Sequence, residues 1–309
     1  MPKRIFLFPG QGSQYVGMGK DLYENFSCVR AVFEEAEEAL KIKLKKLCFE
    51  GGESDLKLTF NTQPALLTTS YAVFKVLTLE TDMCHPALLA GHSLGEYTAL
   101  VVSGALSFSE AVRLVRIRGK CMQEAVPVGK GAMAALLGAD AAQVQALCEE
   151  VSQKNSVVSC ANFNGAGQVV IAGESQAVKR AIESAPQKGI KRALLLEVSA
   201  PFHCELMRPA AEKMKEALET VSFSKIEIPY IANVDAHLYQ GEHVPVRELL
   251  VNQIPNPVRW EESMQYLEKE GIEEAYEVGP GKVLTGLLRR INKEIKTFNV
   301  GTVEDIKNL

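Results

Sequence analysis

Short unbroken apolar runs alternate along this chain with longer stretches in which apolar residues recur every third or fourth position. That is the pattern of buried strands separated by amphipathic helices. Arg4-Ile-Phe-Leu-Phe8 is the first run and predicts a strand that feeds into Pro9-Gly10-Gln11-Gly12-Ser13-Gln14, a loop able to bring bare backbone against a ligand. Helical spacing follows from about Asp21 to Leu47, with Ser27 as a cap and the lysines between Lys41 and Lys46 on a solvated face. Another helix is predicted to start at Gln63-Pro64, with proline in its first turn and Leu66, Leu67, Tyr71, Phe74 and Leu77 on one stripe. Pro86 to Ala90 reads as a strand and Glu96 to Ser103 as a helix stopped by Gly104. Ser107 caps a further helix running to about Ala125.

After Pro127-Val-Gly129 the pattern changes. Ala132 to Leu137 reads as a strand, Ala141 to Gln153 as a helix, Val157 to Cys160 and Gln168 to Ile171 as a hairpin, Ser175 to Ala185 as a helix, and Ala193 to Val198 as a strand. The order β-α-β-β-α-β is the ferredoxin-like one. Strand and helix alternate again beyond it, with strands at Ile226 to Val234 and Glu274 to Val278 and a helix opened by Gly279-Pro-Gly-Lys282, while Gln253 is expected in a proline-broken loop. The predicted organisation is an α/β domain with a mostly parallel sheet over residues 1–127 and 199–309, interrupted by a ferredoxin-like subdomain at 128–198. A cleft between the two is the default ligand site.

Composition narrows the function classes. A chain of 309 residues is long enough for a large core and about two domains. Lys plus Arg is 34 against 38 for Asp plus Glu, a net of −4, so the overall balance gives no reason to expect nucleic acid. Seven cysteines, at 28, 48, 84, 121, 148, 160 and 204, form no Cys-x-x-Cys pair and are expected to be free thiols with no metal site. The first residues are too briefly apolar for a signal peptide and no stretch approaches membrane-spanning length, so the expectation is a cytoplasmic protein.

The chemistry concentrates at Gly91-His92-Ser93-Leu94-Gly95, the Gly-x-Ser-x-Gly form of a nucleophile elbow, between a predicted strand and a predicted helix. Ser93 needs a base, most often histidine. His92 diverges from its neighbour, His85 lies at the far end of the strand, and His237 and His243 read as surface residues. His203, in a Pro-Phe-His turn, remains, either as the base or as a satisfied structural histidine. No Asp or Glu announces itself as a third member, which leaves a backbone carbonyl as a candidate for the acceptor that orients the base. On the helix after Ser107, Arg118 shares a stripe with Ala111, Leu114, Val115, Met122 and Ala125, whereas Arg113, Arg116 and Lys120 fall on the polar side. A guanidinium facing the core needs an anion: a carboxylate elsewhere in the chain, or a ligand. Gly10 to Tyr15 lacks the third glycine of a dinucleotide fingerprint, and Lys282 is no P-loop lysine.

Taken in order, Gly10-Gln-Gly-Ser-Gln14, Gly91-His-Ser-Leu-Gly-Glu-Tyr97, Arg118-Gly-Lys120, Ala161-Asn-Phe-Asn164, Ala200-Pro-Phe-His203 and Pro257-Val-Arg-Trp260 closely resemble the malonyl-CoA:acyl carrier protein transacylases of fatty acid and polyketide synthesis. The resemblance spans essentially the whole chain. It implies an α/β-hydrolase-like core with an inserted ferredoxin-like lobe and transfer of a malonyl group from malonyl-CoA to a carrier-protein phosphopantetheine thiol. It further implies Ser93 as nucleophile, His203 as base, Arg118 as partner of the malonyl carboxylate, the N–H groups of Gln11 and Leu94 as an oxyanion hole, and the Gln253 carbonyl as the group orienting His203. No bound cofactor is expected. The implied partner is an acidic acyl carrier protein, met transiently by a monomer, with Arg113, Arg116, Lys191, Arg192, Lys282, Arg289 and Arg290 as candidates for a basic rim or for an ordinary solvated face. Gly165-Ala166 stands where such proteins often carry Ser-Pro. Leu94 and Phe202 are similar to malonyl-selective rather than methylmalonyl-selective members. Two other functions are weighed: a serine esterase or thioesterase, which the elbow and histidine serve equally well, and a non-catalytic docking subunit of a synthase, against which the joint presence of Ser93, His203, Arg118 and the Gln11 loop argues.

Overall fold

The computed structural model describes residues 2–81 and 85–309, so Cys84 lies outside the described residues. Among the described residues ten strands form two sheets: β1 (Arg4–Phe8), β2 (Leu88–Gly91), β3 (Gly131–Leu137), β4 (Val158–Gly165), β5 (Gln168–Glu174), β6 (Arg192–Leu195), β7 (Ile226–Ile231), β8 (Leu238–Gly241), β9 (Glu274–Val278) and β10 (Lys296–Val300). The larger sheet runs β10-β9-β1-β2-β7-β8 and is parallel except where β8 returns beside β7. β1 sits at its centre between β2 and β9. Its unbroken apolar sequence follows from that position. Phe6 and Phe8 feed the core on one face, and Ile5 and Leu7 feed a second core around Trp260, Met264 and Leu288 on the other.

The smaller sheet is antiparallel, in the order β4-β5-β3-β6, and carries the helices Ala141–Val151 and Ser175–Ser184 on one face. Alternation along β3 shows how the two sheets are joined. Ala134 and Leu136 point into the small core, whereas Met133 and Ala135 belong to the large one. Backbone also crosses between them, since Phe163 N–H donates to the Val258 carbonyl and Val258 N–H donates to the Ala161 carbonyl, both at 2.9 Å.

Several boundaries differ from the sequence expectation. The region from Asp21 to Leu47 is three helices, Lys20–Asn25, Ser27–Leu40 and Leu44–Glu50, broken at extended Phe26 and at left-handed Lys41, and Ser27 opens a helix without capping it. The helix expected from Gln63 begins at Thr59 and runs to Glu80, which puts Pro64 inside it. Proline there cannot donate to the carbonyl four residues back, Phe60, and Arg116 Nη1 reaches that carbonyl instead at 3.5 Å. β8 falls between the surface residues His237 and His243, where no strand is expected, and Gln253 is the last residue of the helix Val246–Gln253. The strand expected to Val198 stops at Leu195, while both hairpin strands are longer than expected.

Close packing at the end of β2 admits no side chain. A Cβ on Gly95 would lie 2.0 Å from the Phe8 carbonyl oxygen, and one on Gly91 would lie 2.0 Å from the Gly95 backbone. Gly286, inside the helix Val283–Ile291, meets nothing within 4 Å. Gly95→Ala is therefore expected to destabilise by about 3 kcal/mol or more, and Gly286→Ala to stabilise by roughly 0.5–1 kcal/mol. Denaturant unfolding of the two variants checks both signs.

Candidate active site

The carboxyl ends of β1, β2 and β7 lie side by side, where parallel sheets commonly place their ligands. β2 ends at Gly91, and the helix Leu94–Val102 begins two residues after His92. Ser93, between them, has φ 52° and ψ −103°, a conformation an L-residue adopts only under constraint. Asn233, just past β7, supplies the constraint. Its Oδ1 accepts the Ser93 N–H at 2.6 Å and its Nδ2 donates to the Gly91 carbonyl at 2.7 Å.

The structure brings Ser93, His203, Arg118 and Gln253 together. Ser93 Oγ is 2.7 Å from His203 Nε2 and 3.1 Å from Arg118 Nη2. His203 Nδ1 is 2.9 Å from the Gln253 carbonyl. That carbonyl can only accept, so the ring carries its proton on Nδ1 and Nε2 is left to accept from the serine hydroxyl. The position of Gln253 explains its availability. The last carbonyls of a helix have no partner within it, and Gln253 closes one. His203 itself has a left-handed φ of 58°, so both members of the serine–histidine pair stand on constrained backbone.

Arg118 lies on the buried stripe of the helix Phe108–Glu124, capped by Ser107 as expected, and is only 1 % exposed. Among the described residues it forms no ion pair. Nη1 donates to Gln63 Oε1 at 2.9 Å, Nη2 donates to Gln253 Oε1 at 2.7 Å, the guanidinium stands 5.5 Å from the centre of the Tyr97 ring, and Nε has no hydrogen-bond partner among the described residues. Burial lowers its pKa, yet an arginine keeps its proton. Burial first, and then this neighbouring cation, push the His203 imidazole down to about 3.

The Gln11 loop sits against the elbow, since a Cβ on Gly10 would lie 2.4 Å from the His92 carbonyl oxygen. Leu94 is the first residue of its helix, so its N–H is one of those without an intrahelical acceptor. His92 turns away from Ser93, as expected. Its Nε2 is 3.0 Å from Asn164 Oδ1 and its ring packs 5.4 Å from Trp260.

Four residues that the sequence reading left out complete the arrangement: Gln63, Asn233, Glu96 and the side chain of Gln253. Glu96 is fully buried, and Oε2 accepts from the Asn233 N–H at 3.1 Å and from Gln253 Nε2 at 2.7 Å. Burial raises its pKa to about 7. Glu96 was visible only as the sixth residue of the elbow stretch, while Gln63 and Asn233 carry no local signal because they act by contact across the fold. Four of the five candidate rim arginines spend donors within the chain, Arg113 on the Ala39 carbonyl, Arg116 on Asn61, Arg289 on Thr297 and Arg290 on the Gly286 carbonyl. Among the described residues no three His, Cys, Asp or Glu side chains gather as a metal cage, six cysteines are free thiols, and no helix is long and apolar enough to cross a membrane.

Comparison with known proteins supplies a family. The acyl transferase domain family model matches residues 5–307. The malonyl CoA-acyl carrier protein transacylase of Bacillus subtilis (strain 168) is 49% identical over 307 residues, covering 99% of this chain and 96% of that protein. Its namesake in Escherichia coli (strain K12) is 48% identical, covering 94% of this chain and 93% of that protein. Among solved structures, an acyl carrier protein S-malonyltransferase from Vibrio cholerae superposes with a TM-score of 0.95 at 45% identity, covering 99% of both chains. A malonyl-transacylase in complex with a type II PKS acyl-carrier protein does so with a TM-score of 0.95 at 44% identity, covering 99% of this chain and 98% of that one.

The low pKa of His203 sets a spectroscopic expectation. Ring nitrogen and carbon shifts should report a neutral imidazole from pH 8 down to pH 5, and a midpoint near the ordinary 6.5 would contradict the buried arrangement. The unfolded chain binds the proton first, so this site's contribution to stability falls as pH drops from about 6.5 toward 3. Glu96 acts in the opposite sense: its contribution is fully present below about 4.5 and is lost as pH rises through 7.

Proposed function

This chain belongs to the acyl transferase domain family, and from that premise we propose that it carries a malonyl group from malonyl-CoA to the phosphopantetheine thiol of an acyl carrier protein. One observation carries the reading: a single serine oxygen touches both an imidazole and a buried guanidinium that has no carboxylate of its own. Ser93 is the nucleophile. As its oxygen bonds to the thioester carbonyl carbon, its proton passes to His203 Nε2, and the Gln253 carbonyl steadies the imidazolium through Nδ1–H. The N–H groups of Gln11 and Leu94 receive the negative oxygen of the tetrahedral intermediate, each worth on the order of 3 kcal/mol. Collapse breaks the carbon–sulfur bond and the CoA thiolate recovers the proton from His203. In the second half the carrier thiol gives its proton to Nε2, its sulfur attacks the acyl-serine, and Ser93 leaves with the proton returned.

Arg118 selects the acyl group. Its guanidinium, surrounded by neutral dipoles, gains a charged partner when a malonyl carboxylate enters, and an acetyl group offers none. We assign residues 1–127 and 199–309 to an α/β-hydrolase-like catalytic domain and 128–198 to a ferredoxin-like insertion. The strand order β4-β5-β3-β6 and the two helices on one face support that assignment. The substrates are malonyl-CoA and an acidic carrier protein, the protein works as a monomer, and the free thiols among the described residues fit a reducing cytoplasm.

Intact-mass measurement separates this reading from its rivals. With malonyl-CoA the protein should gain one malonyl group on Ser93, and added holo carrier protein should take it. Free malonate without transfer would indicate a hydrolase, and no adduct a docking subunit. Arg118→Ala should lower kcat/KM for malonyl-CoA by at least about 30-fold, the loss of a buried charged partner being worth about 2 to 5 kcal/mol. Acetyl transfer should fall far less, and equal losses for both acyl groups would remove Arg118 from the selecting role.

A further inference from the structure

Behind the reacting atoms, one buried carboxylate joins parts of the site that come from different elements. Glu96 Oε2 takes two donors, the Asn233 N–H and the Gln253 side-chain Nε2. The Asn233 side chain holds the Ser93 N–H, and the Gln253 main chain holds His203 Nδ1. The Gln253 amide itself is read unambiguously from its surroundings. Nε2 faces two acceptors, Glu96 Oε2 at 2.7 Å and the Ser93 carbonyl at 2.9 Å, which turns Oε1 toward Arg118 Nη2.

We propose that Glu96 is a positioning residue for malonyl recognition, fixing the Gln253 amide so that an oxygen rather than an NH2 group faces the Arg118 guanidinium. The proposal rests on the reading of Ser93, His203 and Arg118 given above. A flipped amide would present donors to a cation and leave its own oxygen facing the Ser93 carbonyl and Glu96, an arrangement with three mismatched contacts. Glu96 therefore aims Arg118 without touching substrate. Its second oxygen, Oε1, has no hydrogen-bond partner among the described residues, so both positioning bonds pass through Oε2 alone. An amide oxygen at position 96 accepts the same two bonds, whereas a side chain of equal bulk without oxygen accepts neither. Protonation of the carboxyl group on Oε1 would likewise leave Oε2 free to accept, in keeping with a group whose pKa lies near 7.

The test compares E96Q and E96L in the full chain, with steady-state kcat and KM measured for malonyl-CoA and for acetyl-CoA at saturating holo carrier protein. E96L should lower kcat/KM for malonyl-CoA by about 10-fold or more, the scale expected when a buried amide loses its acceptor. The loss should sit mainly in KM and exceed the loss for acetyl-CoA. E96Q should restore malonyl transfer to within about 5-fold of the parent on the same reasoning that an acceptor is retained. Equal losses for the two acyl groups in E96L, or failure of E96Q to recover the malonyl preference, would overturn the proposal, because a purely structural carboxylate scales both activities with the folded fraction. If E96L does not fold, Q253L supplies the same readout: it keeps the carbonyl that His203 needs and removes the amide, and it must lose malonyl preference over acetyl. Absence of a malonyl adduct in the unsubstituted protein would sink the transferase reading itself, a distinct outcome.

Discussion

A cation buried without a carboxylate in contact sets the terms for everything around it. Arg118 is enclosed by two glutamine oxygens, a serine hydroxyl and the face of a tyrosine, all of them neutral. A direct ion pair would have satisfied the charge and closed the position to any other anion. Dipoles stabilise it less and leave it able to gain from a newcomer. The nearest bonded route to a negative group runs through the Gln253 amide to Glu96. The same charge, added to burial, keeps the imidazole of His203 unprotonated, so the group that needs an acid ligand and the group that must accept a proton reinforce one another.

The serine and histidine are fixed by backbone as much as by side chains. Ser93 at φ 52° and His203 at φ 58° both occupy the left-handed region, where a residue with a side chain persists only if its surroundings hold it. Asn233 holds the first from below, and the free carbonyl at the end of the helix Val246–Gln253 meets the second. Glycines at 91 and 95 let the strand, the turn and the helix approach closely enough for these contacts to form.

Much of this was legible in the residues alone. The elbow, the arginine on an apolar stripe and the histidine in its turn are signals of local pattern, and so are β1 and β2 at the middle of the larger sheet, whose apolar runs reflect burial on both faces, whereas the half-buried β8 and β10 carry no such run. Contacts made across the fold were not legible. Gln253 was expected in a loop because Pro255 and Pro257 dominate its surroundings, yet the helix ends just before them, and its carbonyl is free for that very reason. Pro64 was read as a helix start because proline favours first turns, but the helix begins earlier, and Arg116 takes the carbonyl that proline leaves open. Glu96 lay inside the recognised stretch without a role, since its two partners come from residues more than 130 positions away.

The paired amide bonds between Ala161–Phe163 and Val258 bear on how such a chain can be recombined. In the proposed insertion at residues 128–198 the first and last strands meet, Leu196 N–H donating to the Met133 carbonyl, yet this cassette is stitched at a third point to a segment far along the polypeptide. Its sheet also lends Met133, Ala135, Val170 and Ala172 to the core of its host. A graft of that cassette between relatives inherits two seams in addition to its ends, and compatibility at position 258 and beneath β3 and β5 decides whether the hybrid closes around its nucleophile.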